Sequence, residues 1–131
     1  MDAKLDMIGL VVDDMARSLA FYRELGIDFP PEADSAPHAE ATLPGGLRFG
    51  VDTVETIRSF DPDWQPPARG QRMGLAFLLE DPLAVDAAYQ HLAKLGYEGH
   101  KEPWDAAWGQ RYAVVSDPDG NTVDLFAPLP A

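Results

Sequence analysis

A chain of 131 residues, 46% of them apolar, holds material for one ordinary core and not for two independent ones, so one domain over 1–131 is expected. Ten basic side chains against 22 acidic ones give a net charge of −12, which repels phosphate backbones, and no Lys/Arg cluster offers an exception. There is no cysteine, no basic N-terminal region followed by an apolar run, and no stretch near the ~20 apolar residues of a membrane span; the expectation is a cytoplasmic protein with neither nucleic-acid nor membrane partners.

In chain order, the apolar run Met7-Ile8-Gly9-Leu10-Val11-Val12 predicts a strand. Asp14 follows as a helix N-cap, with Met15, Leu19 and Tyr22 at helical spacing and Gly26 as the stop after Leu25. Strands near 38–43 and 47–52 flank Pro44-Gly45-Gly46, a turn sequence. His38, Glu40 and Thr42 alternate with Ala39, Ala41 and Leu43, and Arg48, Gly50 and Asp52 alternate with Phe49 and Val51. Bringing His38, Glu40 and Arg48 onto one face requires a bulge or an odd-length turn at Pro44-Gly45-Gly46, which glycine permits. A Pro- and Asp-rich linker is expected over about 59–70, containing Ser59 through Pro67 and Trp64, which would anchor the crossover or close over a ligand opening.

The second half repeats the first. Gly74-Leu75-Ala76-Phe77-Leu78-Leu79 predicts a strand, and Asp81 with Pro82 at the first helical position predicts another capped helix. That helix carries Val85, Ala88, Leu92 and Leu95 as its apolar stripe and ends at Gly96. Asp81 stands 67 positions after Asp14, and Tyr89 the same 67 after Tyr22. Strands at roughly 110–116 and 121–127 flank Asp117-Pro118-Asp119-Gly120, a type I turn sequence. Two copies of one β-α-β-β-β unit are therefore expected, about 4–58 and 71–128.

Val11-Val12-Asp13-Asp14 through Ser18-Leu19-Ala20-Phe21-Tyr22 to Leu25-Gly26, together with Trp108-Gly109 through Asp117-Pro118-Asp119-Gly120-Asn121 to Val123-Asp124-Leu125-Phe126, resemble the vicinal oxygen chelate superfamily of glyoxalase I, extradiol dioxygenases and bleomycin-resistance proteins. The resemblance covers almost the whole chain. It implies an α+β fold of two β-α-β-β-β modules whose curved mixed sheets surround a cavity, and commonly a homodimer. Enzymatic members hold a divalent metal with His, Gln or Glu at four strand positions. Those positions fall on Met7, Gly74, Gly50 and Asp124, of which only Asp124 can bind a hard cation. One carboxylate cannot outcompete water for the other positions of such an ion, so no metal and no other cofactor is expected.

Pairing 116 with 121 and 113 with 124 across the turn would put Arg111, Ala113, Val115, Thr122, Asp124 and Phe126 on one face, with Tyr112, Val114, Val123 and Leu125 on the other. Arg111 and Asp124 would then either recognise polar groups of a ligand or form an internal ion pair. Trp104 and Trp108 bracket a loop before that strand and either line a pocket mouth or pack at the end of the sheet. The resemblance favours the first, since aromatics line the groove of bleomycin-resistance proteins. His38 is either a site residue or an exposed strand histidine, and His91 and His100 are assigned no chemistry.

The leading expectation is a metal-free small-molecule-binding protein that sequesters an aromatic or cationic compound through Trp104, Trp108, Arg111, Asp124, Glu40, Arg48 and His38. The alternative is a lyase, isomerase or dioxygenase of the same superfamily, using a metal at non-standard ligands such as His38, Glu40 and Asp124, or a metal-free acid-base site.

Overall fold

The computed structural model describes residues 1–2, 4–67 and 73–131. Positions 68–70 of the expected linker and 71–72 of the expected second module lie outside the described residues. Two compact units result, Met1–Pro66 and Pro67–Ala131.

In the first unit β1 (Met7–Val12) leads into α1 (Met15–Glu24), followed by a 3-10 turn (Pro31–Ser35), β2 (His38–Thr42), β3 (Arg48–Thr53) and the short helix α2 (Val54–Arg58). Asp14 caps α1 as expected, its carboxylate accepting from the Arg17 N–H at 3.1 Å, and Gly26 takes up a φ of 93° after the last turn. The sheet order is β1-β3-β2, parallel between β1 and β3 and antiparallel between β3 and β2. One face packs against α1: Val12, Ala39, Ala41, Phe49 and Val51 are buried, and the Tyr22 ring lies 5.2 Å from that of Phe49.

The second unit runs β4 (Leu75–Leu78), α3 (Pro82–Lys94), β5 (Gly99–Ala106), β6 (Gln110–Ser116) and β7 (Thr122–Pro128), in a mixed sheet of order β4-β7-β6-β5. Asp81 caps α3, accepting from the Ala84 N–H at 2.8 Å. Val85 and Leu92 of α3 are buried, as are Ala113, Val115, Val123, Leu125 and Ala127 of the sheet. Among the described residues no helix is long and apolar enough to cross a membrane.

Both units are βαβββ-like, and they share a register as well as an order. Gly9 pairs with Gly50 in the first parallel ladder and Ala76 with Asp124 in the second. They differ between helix and hairpin. Where the second unit extends into β5, the first has the 3-10 turn opened by Pro30-Pro31, a pair that cannot donate to a ladder. Arg23 secures that turn, donating to the carbonyls of Phe29 (3.1 Å) and Pro30 (2.8 Å) and pairing with Asp34 (2.7 Å).

Both hairpins close around three residues. The Leu43 N–H donates to the Leu47 carbonyl (2.8 Å) around Pro44-Gly45-Gly46, and the Asp117 N–H to the Asn121 carbonyl (2.8 Å) around Pro118-Asp119-Gly120. Gly46 and Gly120, the last residue of each loop, have positive φ, as a three-residue loop of this kind requires; Gly45 is positive as well, whereas Asp119 in the same place is not. In the first hairpin this is the odd-length turn that puts His38, Glu40 and Arg48 on one face: His38 pairs with Asp52, Glu40 with Gly50 and Thr42 with Arg48.

In the second hairpin the same loop overturns the expected register. Ser116 pairs with Thr122, not 121, and Val114, not Ala113, with Asp124. The type I turn itself is present, with the Gly120 N–H donating to the Asp117 carbonyl at 3.0 Å, but Gly120 adds one residue to the loop and shifts every pair by one. Arg111, Ala113 and Val115 therefore share the helix-covered face with Val123, Leu125 and Ala127, whereas Tyr112 and Val114 share the opposite face with Asp124 and Phe126. Arg111 and Asp124 lie on opposite sides of the sheet.

Candidate functional sites on the two open sheet faces

Each sheet has one face against its helix and one face without it, and the chemistry differs between the two open faces. In the first unit the open face has three rows: Met7, Arg48 and Thr42; Gly9, Gly50 and Glu40; Val11, Asp52 and His38. Strand alternation alone puts the ionisable residues here, because their neighbours Ala39, Ala41, Phe49 and Val51 are taken by the core.

These side chains form one continuous chain of contacts. His38 Nδ1 is 2.6 Å from Asp52 Oδ1, and His38 Nε2 is 2.7 Å from Glu40 Oε2. Arg48 Nη1 donates to Glu40 Oε1 at 2.6 Å, and its Nη2 and Nε donate to Asp6 Oδ2 at 2.7 and 3.1 Å. A carboxylate on each ring nitrogen is satisfied only when both nitrogens carry protons. The pKa of His38 is accordingly raised above 6.5, first by the hydrogen bond to Glu40 and then by that to Asp52. Glu40 is held below its ordinary value by His38 first and Arg48 second, and Arg48 is pushed up by Asp6 and then Glu40. Alternation grouped Asp52 with Arg48; that it would meet His38 follows only from the pairing.

The open face of the second unit is aromatic. Trp104 of β5, Tyr112 of β6 and Phe126 of β7 lie in one cross-strand row with Leu78 of β4. The sequence expectation put Trp104 in a loop; it lies within β5, and Trp108 alone is in the loop that follows. The rings of Trp104, Trp108 and Tyr112 are mutually 5.3 to 6.0 Å apart and edge-on, and Tyr112 stacks on Phe126 at 6.1 Å. Such a cluster leaves no gap between its own rings, so a ligand can use only its outer surfaces. Trp108 is 61% exposed, with its indole N–H donating to Gln110 Oε1 at 2.9 Å.

One row away, Asp124 accepts the Tyr112 hydroxyl at 2.6 Å through Oδ2. Burial and then this carboxylate push the phenol up to about 12. On the same face the Lys101 ammonium lies 3.9 Å from the centre of the Trp104 ring. The sequence reading groups Phe126 with Asp124, as the structure does, but gives it no role, and it puts Tyr112 on the opposite face. The three-residue hairpin loop brings Tyr112 across, and a bulge between Lys101 and Trp104 hides Lys101 from simple alternation.

Arg111 is on the other side. Its Nε donates to Asp86 of α3 at 2.9 Å and its Nη1 to Asp105 at 3.1 Å, which raises its pKa, Asp86 contributing most. It borders a separate hollow of about 350 Å³ with Asp86, Tyr89, Gln90, Glu102 and Pro103.

The superfamily's metal positions do not fit an ion here. A Cβ built on Gly50 would lie 2.8 Å from Met7 Sδ and 3.6 Å from His38 Cε1, so the thioether occupies the space a liganding side chain at 50 would need. Gly74 offers no donor, Asp124 is bonded to Tyr112, and His38 and Glu40 are bonded to each other. Among the described residues no group of three or more His, Asp or Glu side chains is placed to hold a metal ion.

The sequence model described as the glyoxalase/bleomycin resistance protein/dioxygenase superfamily matches residues 4–125. Solved structures with the same fold include a glyoxalase/bleomycin resistance protein/dioxygenase from Nocardioides, 25% identical with TM-score 0.77 over 100% of this chain and 87% of that one. A family enzyme from Burkholderia phytofirmans reaches TM-score 0.82 at 20% identity over 97% and 100% of the two chains. A protein of unknown function from Agrobacterium tumefaciens is 27% identical, with TM-score 0.74 over 98% and 97%. No curated protein matches the chain.

Proposed function

Since the chain belongs to the glyoxalase/bleomycin resistance protein/dioxygenase superfamily, we propose that it binds a small organic molecule without a metal, on the open aromatic face of its second unit. The observation that carries this reading is the Trp104-Trp108-Tyr112 cluster, preassembled from the sheet face and the loop after β5, with Trp108 61% exposed and Asp124 beside it. Aromatic surface held in place before binding costs a ligand little ordering entropy, and a nearby carboxylate supplies orientation. An aromatic or cationic compound suits both. Calorimetry against a panel of such compounds tests it: saturable heat from at least one is expected, whereas uniform absence of heat in a protein that retains a stoichiometric metal would overturn it.

A second reading is favoured by one observation in the first unit, the Asp52-His38-Glu40-Arg48 chain, which holds a proton between two carboxylates. It supports acid-base chemistry of a lyase or isomerase kind, while the donor set at Met7, Gly50 and Gly74 speaks against a metal-dependent form. A melting temperature that rises with manganese, nickel, iron or zinc would restore the metal-dependent form. The proposal is completed by a cytoplasmic homodimer with no nucleic-acid or membrane partner, in keeping with the net charge of −12 and the habit of related proteins. Sedimentation as a monomer at micromolar concentration would refute the dimer.

A further inference from the structure

Two opposite charges stand on the second unit's open face without neutralising each other. Pairing places Lys101, Val114, Asp124 and Ala76 in one cross-strand row, next to the row of Trp104, Tyr112, Phe126 and Leu78. Lys101 and Asp124 are thus separated by Val114, two interstrand steps or about 10 Å of backbone. Each leans over the aromatic row. The ammonium lies against Trp104 and, among the described residues, meets no carboxylate; Asp124 gives Oδ2 to the Tyr112 hydroxyl and keeps Oδ1 free. A protein of net charge −12 attracts cations in general, so a lysine held over an aromatic cluster is a local exception to its field.

We propose that this face recognises a zwitterionic aromatic molecule, its ring over Val114 beside the Trp104-Tyr112-Phe126 row, its anionic group at Lys101 and its ammonium at Asp124. The inference rests on the small-molecule reading above and narrows it. A plain organic cation satisfies Asp124 but meets Lys101 as a like charge, and a plain anion meets Asp124 in the same way. Only a dipolar ligand of matching length turns both charges to advantage, and rejection of the singly charged analogue is where the specificity arises.

The test uses three probes on the full-length protein: para-aminomethylbenzoate, benzylamine and benzoate. Affinity is measured by calorimetry, with the indole N–H resonances of Trp104 and Trp108 followed by NMR. The zwitterion is expected to bind at least tenfold more tightly than either singly charged compound and to move the Trp104 resonance. Lys101→Met should reduce its affinity to that of benzylamine, and Asp124→Asn to that of benzoate, with the circular dichroism of both variants unchanged. Should benzylamine bind as tightly as the zwitterion while shifting the indoles, the zwitterion proposal falls and the aromatic site stands. Should none of the three probes move either indole, the zwitterion proposal falls, and the aromatic site is decided by the wider calorimetric panel. A tenfold preference that survives Lys101→Met would remove Lys101 from the site.

Discussion

The two units use one scaffold to present opposite chemistries. Their helices start from equivalent caps at Asp14 and Asp81, their parallel ladders share a register, and their hairpins close on three residues. Yet the open face of the first is a chain of ion pairs from Asp52 to Asp6, and that of the second is a cluster of rings. The difference lies mainly in residues at alternate strand positions, added to by Trp104 on β5, a strand the first unit replaces with its 3-10 turn, and by Asp6 and Trp108 just outside the strands. Core-facing positions hold the fold and are apolar in both copies except at the edge where Arg111 meets Asp86 and Asp105, whereas the open positions carry no such constraint and can diverge.

The equivalent tyrosines test how far the equivalence reaches into the packing. Tyr22 is fully buried against Phe21 and Phe49, but Tyr89 is half-buried, with its ring over the backbone of Gly99. Tyr22→Ala should cost about 3–5 kcal/mol, as for other large aromatic deletions, and Tyr89→Ala about 1 kcal/mol, measured by urea unfolding. Equal costs would mean that the two helices are anchored alike.

Gly99 sharpens the same contrast from the strand side. A Cβ there would lie 2.7 Å from Tyr89 Cζ, so Gly99→Ala forces the ring or the β5 backbone to move. A loss of about 1–3 kcal/mol is expected, as for overpacking in general. In the double variant with Tyr89→Ala most of that loss should disappear; if it persists, strain in the strand and not the tyrosine is responsible.

The ion-pair chain predicts a pH effect peculiar to the first unit. His38 has its pKa raised in the folded state by Glu40 and Asp52, so its contribution is complete below 6.5 and is lost as pH rises through the folded value. His38→Gln should therefore destabilise the protein below pH 6.5 and matter progressively less above it. The histidine side chain is 39% exposed, so the low-pH difference should be at most about 1 kcal/mol after solvent screening. Melting temperatures of both proteins across the range check it, and a difference independent of pH would remove the ionised-histidine account.

What sequence made legible follows the same division. Caps, turns and apolar stripes are local, and Asp14, Asp81 and Asp117-Pro118-Asp119-Gly120 announced their elements correctly. The odd-length turn that unites His38, Glu40 and Arg48 was likewise readable. The second hairpin is ambiguous in sequence because Gly120 both ends the type I turn and belongs to the loop, and one residue is enough to exchange sheet faces. Arg111 could not have been placed from its neighbours, since its partner Asp86 is 25 positions away on α3 and meets it only through packing. Lys101 and Trp104 share a face because a bulge changes the count between them, and nothing in their sequence spacing signals a bulge.

The smallest expected effect isolates the second face. Tyr112 donates to Asp124 and is held up to about 12 by burial first and that carboxylate second, so it should remain a neutral phenol through pH values at which an ordinary tyrosine, near 10.0, ionises. Absorbance of the phenolate at alkaline pH should show a late step, provided that circular dichroism shows the fold intact there. Tyr112→Phe should remove that step and leave the others in place, with a stability loss of about 1 kcal/mol or less for one partly exposed hydrogen bond. Asp124→Asn should move the step to lower pH without abolishing it, because burial remains when the charge is gone. If instead the late step survives Tyr112→Phe, another phenol carries it and the hydroxyl that orients Asp124 is not held as described.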